Sequence, residues 1–380
     1  MKLDNPFPEY GYFGQEYFCD REQETETLMN ALLNGSNVTL MAPRRIGKTG
    51  LIHHVFERMK EKDENVQCFY VDIFPTKTFS QMVQFIANAV MGKLDTPSQS
   101  LKRKLNKYIS ALRPTMTPDP ITGMPTFSFN VVPANARETL SQVFDYMKAS
   151  ELPCYLAIDE FQQVSHYNEI GADAFIRSII QVIPNVHIIF SGSQQHILSE
   201  MFMSPKHPFF NSSQIMTIKE IDAVKYCSFA NGFYSKQGRE MPLDVFGYLY
   251  DMVDGQTWYI QKILNRLYRT PKDVLCREAV DRAVNEILGE QEINYQNNYY
   301  QLTVNQALLL TAIAREGIVC APTSLEFILR YQLPASSSIK QALKSLQDKE
   351  YVYKTTEGNY LVYDRFFRMW LKRLGEGMKI

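Results

Sequence analysis

Met41-Ala42-Pro43-Arg44-Arg45-Ile46-Gly47-Lys48-Thr49 decides how this chain is read. The stretch follows the apolar run Val38-Thr39-Leu40 and opens onto Gly50-Leu51-Ile52-His53-His54-Val55-Phe56. That order predicts a strand, a tight loop and a helix whose first turn carries Gly-Lys-Thr, the sequence form of a phosphate-binding loop. Ala42, Pro43, Arg44, Arg45, Ile46, Gly47, Lys48, Thr49 and Gly50 would form the cradle. Backbone N–H groups of the loop and of the helix N-terminus point at the phosphates, where the helix dipole favours negative charge. Lys48 would reach the β- and γ-phosphates, and the Thr49 hydroxyl would ligate Mg²⁺. The stretch therefore implies binding of a nucleoside triphosphate.

The pattern asks for Gly at its first position, where this chain has Ala42. Glycine serves there because the backbone can bend without a Cβ penalty. Alanine is tolerable if its φ stays negative. An ordinary strand–helix turn would leave Arg44, Arg45 and Lys48 crowded at one helix N-terminus with no anion between them. Arg44 and Arg45 can contact the phosphates or pair with Glu22 or Glu160.

The chain has 380 residues, enough for two or three domains with real cores. Its formal net charge of −1 implies no global pull toward nucleic acid or membrane. The six cysteines, Cys19, Cys68, Cys154, Cys227, Cys276 and Cys320, are far apart and not at metal-ligand spacing. Most sit in apolar runs and read as small buried hydrophobes in a reducing compartment. The polar, proline-containing start predicts no secretory leader. No uninterrupted apolar stretch approaches membrane-spanning length. The expected location is the cytoplasm.

Strand signals recur at Val38–Met41, Gln67–Asp72, Cys154–Ile158, His187–Phe190 and Ile215–Ile218, with amphipathic helical patterns between them. Such alternation predicts a parallel sheet covered on both faces. Arg113 to Pro133 interrupts it with Pro114, Pro118, Pro120, Pro125 and Pro133. Within it, Thr126-Phe127-Ser128-Phe129-Asn130 alternates like an exposed strand, so a hairpin or loop excursion is expected. From Glu220 to about Asn298 only helical spacing remains, as in Val245-Tyr248-Leu249-Met252 and Ile260-Ile263-Leu264-Leu267. The polar, tyrosine-rich segment Gln291–Gln301 reads as a connection. Beyond it, helices are predicted at Asn305–Arg315, Thr323–Arg330 and Ser336–Asp348, the last with its serines as cap candidates. Tyr351–Lys354 and Tyr360–Tyr363 then form a hairpin around Glu357-Gly358-Asn359. Three helices and a hairpin make a winged helix-turn-helix. The expected division is 1–219, 220–300 and 301–380.

A second chemical element lies at Leu156-Ala157-Ile158-Asp159-Glu160, an apolar strand ending in two carboxylates. Beside a phosphate loop, Asp159 would hold the Mg²⁺ shell and Glu160 would orient and deprotonate an attacking water. An Asp-Glu at a strand end can otherwise cap the next helix. The next strand ends in Phe190-Ser191-Gly192-Ser193, where Ser191 and Ser193 are candidates for contact with the γ-phosphate or the water. His53 and His54 have no metal partner at ligand spacing.

These motifs together resemble an AAA+ type ATPase of the STAND group, in the family of archaeal ATPases that also occurs in bacteria. Ala-Pro-Arg-Arg-Ile-Gly-Lys-Thr at 42–49 is similar to the family's Gly-Pro-Arg-Arg-x-Gly-Lys-Thr. Phe18-Cys19-Asp20-Arg21-Glu22-Gln23-Glu24 resembles its N-terminal Phe-x-Gly-Arg-Glu-x-Glu box, with Asp20 in place of Gly. In relatives that box lies near the adenine, which implies Phe18 and Arg21 as nucleotide-binding residues; Tyr10, Tyr12, Phe13 and Tyr17 are further aromatics that can stack or pack. Ile158 through Gln162 resembles the Walker B run, Phe190 through Ser193 the sensor run, and Asn359 through Leu371 the end of the winged helix.

The resemblance implies an α/β P-loop NTPase fold, a small helical lid and a C-terminal winged helix-turn-helix. It implies ATP and ADP as ligands, Mg²⁺ as cofactor, Lys48 and Glu160 as catalytic groups, and a nucleotide-dependent oligomer. Relatives carry Pro-Leu-Tyr-Gly-Arg before the fifth strand, near where AAA+ proteins often place an arginine finger. This chain has Pro208-Phe209-Phe210-Asn211-Ser212, which implies slow hydrolysis. Relatives carry Gly-Gly-x-Pro in the lid, and here Asp254-Gly255-Gln256-Thr257 stands instead. The winged helix can read DNA through Ser337, Lys340, Gln341, Lys344 and Lys354, or contact a protein. Asp348, Glu350 and Glu357 offset its lysines and favour a protein partner. An ATP-binding switch, an ATP-responsive DNA-binding regulator and a non-hydrolysing scaffold are the readings compatible with the chain. Intact Lys48, Thr49, Asp159 and Glu160 speak against the scaffold.

Overall fold

The computed structural model describes residues 3–94, 112–118, 125–270, 274–355 and 357–377. The chain divides into two compact units, Gly11–Glu220 and Met1–Tyr10 with Ile221–Ile380.

In the first unit, strands β1 (Val38–Met41), β2 (Gln67–Asp72), β5 (Cys154–Asp159), β6 (Val186–Gly192) and β7 (Gln214–Thr217) form one sheet in the order β2-β5-β6-β1-β7. Every neighbouring pair is parallel. Side chains alternate between faces along a strand. On β5, Cys154, Leu156 and Ile158 enter one apolar core while Tyr155 and Ala157 enter the other. On β6, Val186, Ile188 and Phe190 face the first core and Ile189 the second. Such two-sided burial explains why these strands read as continuous apolar runs. Helices Glu22–Leu33 and Lys48–Lys62 cover one face with Leu28, Leu32, Leu51, Ile52 and Val55. Helices Phe79–Leu94, Ala136–Ala149, Ala172–Ile180 and Gln195–Met203 cover the other.

Between them, β3 (Leu112–Pro118) and β4 (Pro125–Val131) pair as an antiparallel hairpin; residues 119–124 of this excursion, with Pro120, lie outside the described residues. A two-stranded ribbon has edges on which proline costs no ladder hydrogen bond. The sequence predicts an exposed strand here, yet Phe129 is buried in the core. Asn88 on helix Phe79–Leu94 accepts from the Phe129 N–H at 2.7 Å, which brings the strand against that helix.

The second unit opens with helices Ala223–Tyr234, Leu243–Met252, Thr257–Tyr268 and Arg277–Tyr300. Residues 3–10 join this unit, whereas the sequence division groups them with the sheet. Phe7 is fully buried among Phe233, Tyr234 and Tyr268, and Asn5 and Asn265 exchange side-chain-to-backbone hydrogen bonds with this segment and its helix. Gln291–Gln301, expected as a connection, is nearly all helical, as the end of Arg277–Tyr300. Tyr295 is its inward residue: it packs on Phe367 and Trp370, and Glu292 accepts from the Trp370 indole at 2.9 Å.

The winged helix comprises Val304–Glu316, Leu325–Arg330, Ser336–Asp348, the hairpin β8 (Val352–Lys354) and β9 (Tyr360–Val362), and a closing helix Arg365–Gly377. Ser324 caps the second helix. The third helix has Ala335 at its N-cap, with no side-chain cap; Ser336 donates instead to the Thr323 carbonyl at 3.4 Å.

The lid turn at Asp254-Gly255 is left-handed at both residues, with φ of 53° and 65°. Aspartate tolerates that region better than most side chains. Its carboxylate meets Arg365 Nε at 2.7 Å and Arg368 Nη1 at 2.7 Å. Both arginines are buried. Asp254 therefore ties the helical region to the winged helix within one unit.

Candidate functional site

Three motifs arrive at one edge because they end parallel strands. The loop follows β1, Asp159 ends β5 and Gly192 ends β6, and β6 lies between the other two. In open α/β sheets, the carboxyl edge is where ligands bind.

The loop turns at Arg45, φ 66°, and Gly47, φ 101°. Ala42 is fully buried and is not among the described residues with positive φ, so alanine stands there without strain. Gly50 sits under Phe18: a Cβ would come 3.4 Å from its ring. Phe18 stacks on His54 at 4.4 Å, and Tyr12 hydrogen-bonds His54 Nδ1 at 2.8 Å and donates to Glu57. Arg21 does not face open solvent. It is buried, donates to Glu24 at 2.7 Å and to the Ile46 carbonyl at 3.3 Å, and so braces the loop from behind.

Lys48 is buried in the first helical turn, and its ammonium donates to the carbonyls of Ala42 and Pro43, both at 3.1 Å. Burial pushes its pKa down, while Glu160 and Asp159 pull it back up. A cation held by loop carbonyls can transfer to the stronger acceptor that a phosphate oxygen offers.

Asp159 is fixed at both oxygens. Oδ1 accepts the Glu160 N–H at 3.0 Å, and Oδ2 accepts Thr49 Oγ1 at 2.9 Å and the Tyr70 hydroxyl at 2.8 Å. Glu160 sits at φ 56° and its Oε2 accepts from Ser193 Oγ at 2.8 Å and from Gln162 Nε2. Arg44 Nε donates to Ser193 Oγ at 3.3 Å and its guanidinium lies over Phe74. Arg44 thus reaches Glu160 through a hydroxyl. Gly192 is needed beside this group, since a Cβ there would overlap Gln162 Oε1. Of the two serine candidates, Ser193 is brought to Glu160. Ser191 is fully buried, level with Leu40, and its Oγ has no hydrogen-bond partner among the described residues.

The sequence alone does not single out Tyr70, Asp72 or Gln162 as site residues. Asp72 pairs in register with Asp159 across β2 and β5. Burial pushes its pKa up, with Asp159 and Glu160 adding to the rise and the Phe74 N–H and Arg44 opposing it. Only Gln162 carried a signal, as the end of the Asp-Glu-Phe-Gln run.

The donors fit Mg²⁺. A hydroxyl and a carboxylate, both hard oxygens, converge at Thr49 and Asp159, and three carboxylates at one edge repel without a cation. Among the described residues no group of three or more His, Cys, Asp or Glu is arranged to hold a metal alone. Nucleotide-borne Mg²⁺ takes only one or two carboxylates besides phosphate and water.

Ser212 donates to the Phe209 carbonyl at 2.6 Å, in the turn before β7. Arg266 pairs with Glu290 at 2.6 Å and Glu286 at 3.4 Å. Ser337, Lys340, Gln341 and Lys344 are exposed along one side of helix Ser336–Asp348, opposite Ile339, Leu343 and Leu346. Cys19, Cys68, Cys154 and Cys227 are buried thiols. Among the described residues no helix is long and apolar enough to cross a membrane.

Comparison with known proteins gives the same architecture. Residues 18–263 match the family described as an ATPase domain predominantly from Archaea. Residues 293–373 match a family described as a "probable winged helix domain". No curated protein matches. A Walker-type ATPase of Pyrococcus abyssi is similar at 15% identity and TM-score 0.65, over 97% of this chain and 99% of that one. The ORC2 protein of Aeropyrum pernix, in ADPNP–ADP complexes, is similar at 15% identity and TM-score 0.59, over 98% of each chain. The ORC1 protein of Aeropyrum pernix in complex with DNA gives 15% identity and TM-score 0.52, over 97% of this chain and 94% of that one. At such identities the likeness is one of fold, an AAA+ type P-loop ATPase with a C-terminal winged helix. The family match spans more than half of the chain and contains the loop, both carboxylates and the serine-tipped strand: the chain belongs to the ATPase family found predominantly in Archaea.

Proposed function

We propose that this protein is a cytoplasmic, STAND-type switch that binds ATP at Ala42–Gly50 and hydrolyses it slowly. The observation that carries the reading is the linked pair of contacts at the strand ends: Thr49 to Asp159, and Arg44 through Ser193 to Glu160. Lys48 and the loop N–H groups hold the phosphates, and Phe18 borders the base. Thr49 and Asp159 would hold Mg²⁺, which supplies charge neutralisation on the phosphate oxygens when bound. Glu160 takes a proton from water as its oxygen bonds to the γ-phosphorus and the bond to the β-phosphate oxygen breaks, giving ADP and phosphate. In this reading an incoming γ-phosphate would compete for the hydrogen bonds of Arg44 and Ser193, which would link nucleotide state to the base.

Region 220–300 serves as the lid in this reading. Because Asp254 joins it to Arg365 and Arg368, movement of the lid carries the winged helix with it. A protein partner for the winged helix is favoured by its mixed charge. DNA binding is the second reading, supported by the exposed Ser337, Lys340, Gln341 and Lys344 and by the DNA complex of the ORC1 neighbour. A rise in ATP turnover on adding duplex DNA would select it.

Slow turnover follows from Ser212, which cannot stabilise charge developing on a γ-phosphate. Turnover measured against protein concentration tests this. Ser212→Arg is expected to raise turnover in an assembled form by about 10-fold or more, and to leave a dilute monomer unchanged, because such a residue acts on a neighbour's site. Fast, concentration-independent hydrolysis by the wild type would refute the slow-switch reading and assign the role to an arginine of the same chain.

A further inference from the structure

We propose that Tyr70 is a positioning residue for the divalent cation that accompanies the nucleotide. The inference rests on the reading of Thr49 and Asp159 given above. A carboxylate offers about four lone-pair directions on its two oxygens. In Asp159, one is taken by the Glu160 N–H, one by Thr49 and one by Tyr70. The first two partners belong to the site itself. The Glu160 amide is the adjacent backbone, and Thr49 must keep its proton on Asp159 so that an oxygen lone pair can face the cation. Tyr70 is the one contact from a different strand.

Its hydroxyl is well placed to set the carboxylate plane. Tyr70 lies on β2 opposite Ala157 of β5, two residues before Asp159, and its ring packs at 4.7 Å against His53 of helix Lys48–Lys62. The ring is thus held between the strand that carries Asp159 and the helix that carries Thr49. An ionised carboxylate only accepts hydrogen bonds, so the phenol is the donor in this contact. With both oxygens fixed, Asp159 loses rotational freedom before the cation arrives, and the cation meets a preset pair of donors. Outer partners of metal ligands typically alter metal affinity by about 10- to 100-fold when removed.

Tyr70→Phe removes the hydroxyl and keeps the ring. The probe is Mn²⁺, titrated into the full chain saturated with ADP and followed by the paramagnetic resonance of free Mn²⁺. ADP affinity without metal is measured by calorimetry on the same samples. The expected result is Mn²⁺ affinity lowered by about 10-fold in Tyr70→Phe, with metal-free ADP affinity unchanged. Thr49→Ala is the reference and should weaken Mn²⁺ binding at least as much. If Thr49→Ala weakens it and Tyr70→Phe stays within twofold of wild type, the role of Tyr70 is refuted and the metal site stands. An equal loss of metal-free ADP binding in Tyr70→Phe would also refute it, because the hydroxyl would then be supporting the fold of the site. If neither variant changes Mn²⁺ affinity, the assignment of Thr49 and Asp159 fails, and this inference with it.

Discussion

Glu160→Gln is expected to leave ATP bound and to lower its turnover by about 10²- to 10⁴-fold, the usual contribution of a general base. The substitution is nearly isosteric. Its amide oxygen can still accept from Ser193 and Gln162, which now meet Glu160 Oε2, so the strand end keeps its geometry. What is lost is a group that can take the water's proton. The left-handed backbone at 160 is also preserved in kind, since both residues have the same branching. Calorimetry should therefore return similar ATP affinity in the two proteins while steady-state phosphate release separates them. Equal turnover would place the general base elsewhere, and Asp72, the other carboxylate at this edge with its pKa pushed upward, would be the next residue to change.

Asp254→Ala is expected to destabilise the second unit by about 4 kcal/mol, from loss of the ion pairs and from backbone strain together. Removing it leaves Arg365 and Arg368, both buried, without their carboxylate. Breaking a buried ion pair costs about 3–5 kcal/mol; the lower end applies because the Asp254 side chain is itself 34% exposed and partly screened by water. Alanine at φ 53° adds backbone strain of roughly 1 kcal/mol or more. Asp254→Asn separates the two causes, since asparagine accepts the left-handed region and lacks the charge. Urea unfolding should show a large loss for Asn and a larger one for Ala. If Asn matches wild type, the charge contributes nothing and the effect belongs to the turn.

What the sequence made legible is what depends on neighbours in the chain. The phosphate loop, the strand before it and the helix after it are one continuous stretch, and β1 and β2 lie where the apolar runs put them. The sheet covered on both faces follows from five apolar runs with helices between, whereas the order that puts β6 between the loop and the carboxylates is set by strand pairing. The winged helix is legible because its third helix keeps a clean 3.6-residue stripe, Ile339, Ala342, Leu343 and Leu346.

The rest depends on contacts between distant residues. Tyr70 and Asp159 are 89 positions apart and meet through strand register alone. Phe7 is surrounded by aromatics from far along the chain, so no local pattern near it announces which unit it joins. Gln291–Gln301 looks like a linker because its outer face is polar, and its buried residue, Tyr295, gains meaning only from Phe367 and Trp370. Asp254 reads as a damaged glycine motif until the two arginines beyond the hairpin are in view. Ser191 and Ser193 look equivalent in sequence; the first lies within β6 and is fully buried, while the second stands just past the end of β6, where its hydroxyl meets Glu160.

The central claim is that ATP is held at the loop around Lys48. Its most direct test is calorimetric titration of ATP with Mg²⁺ into the wild type and Lys48→Ala. The buried ammonium now rests on the Ala42 and Pro43 carbonyls and would move to the phosphates on binding. Losing a buried charged partner costs roughly 2–5 kcal/mol, so ATP affinity should fall by about 100-fold or beyond detection. Saturable binding by the wild type and its loss in Lys48→Ala is the predicted result, and equal ATP affinity in the two proteins would contradict the account.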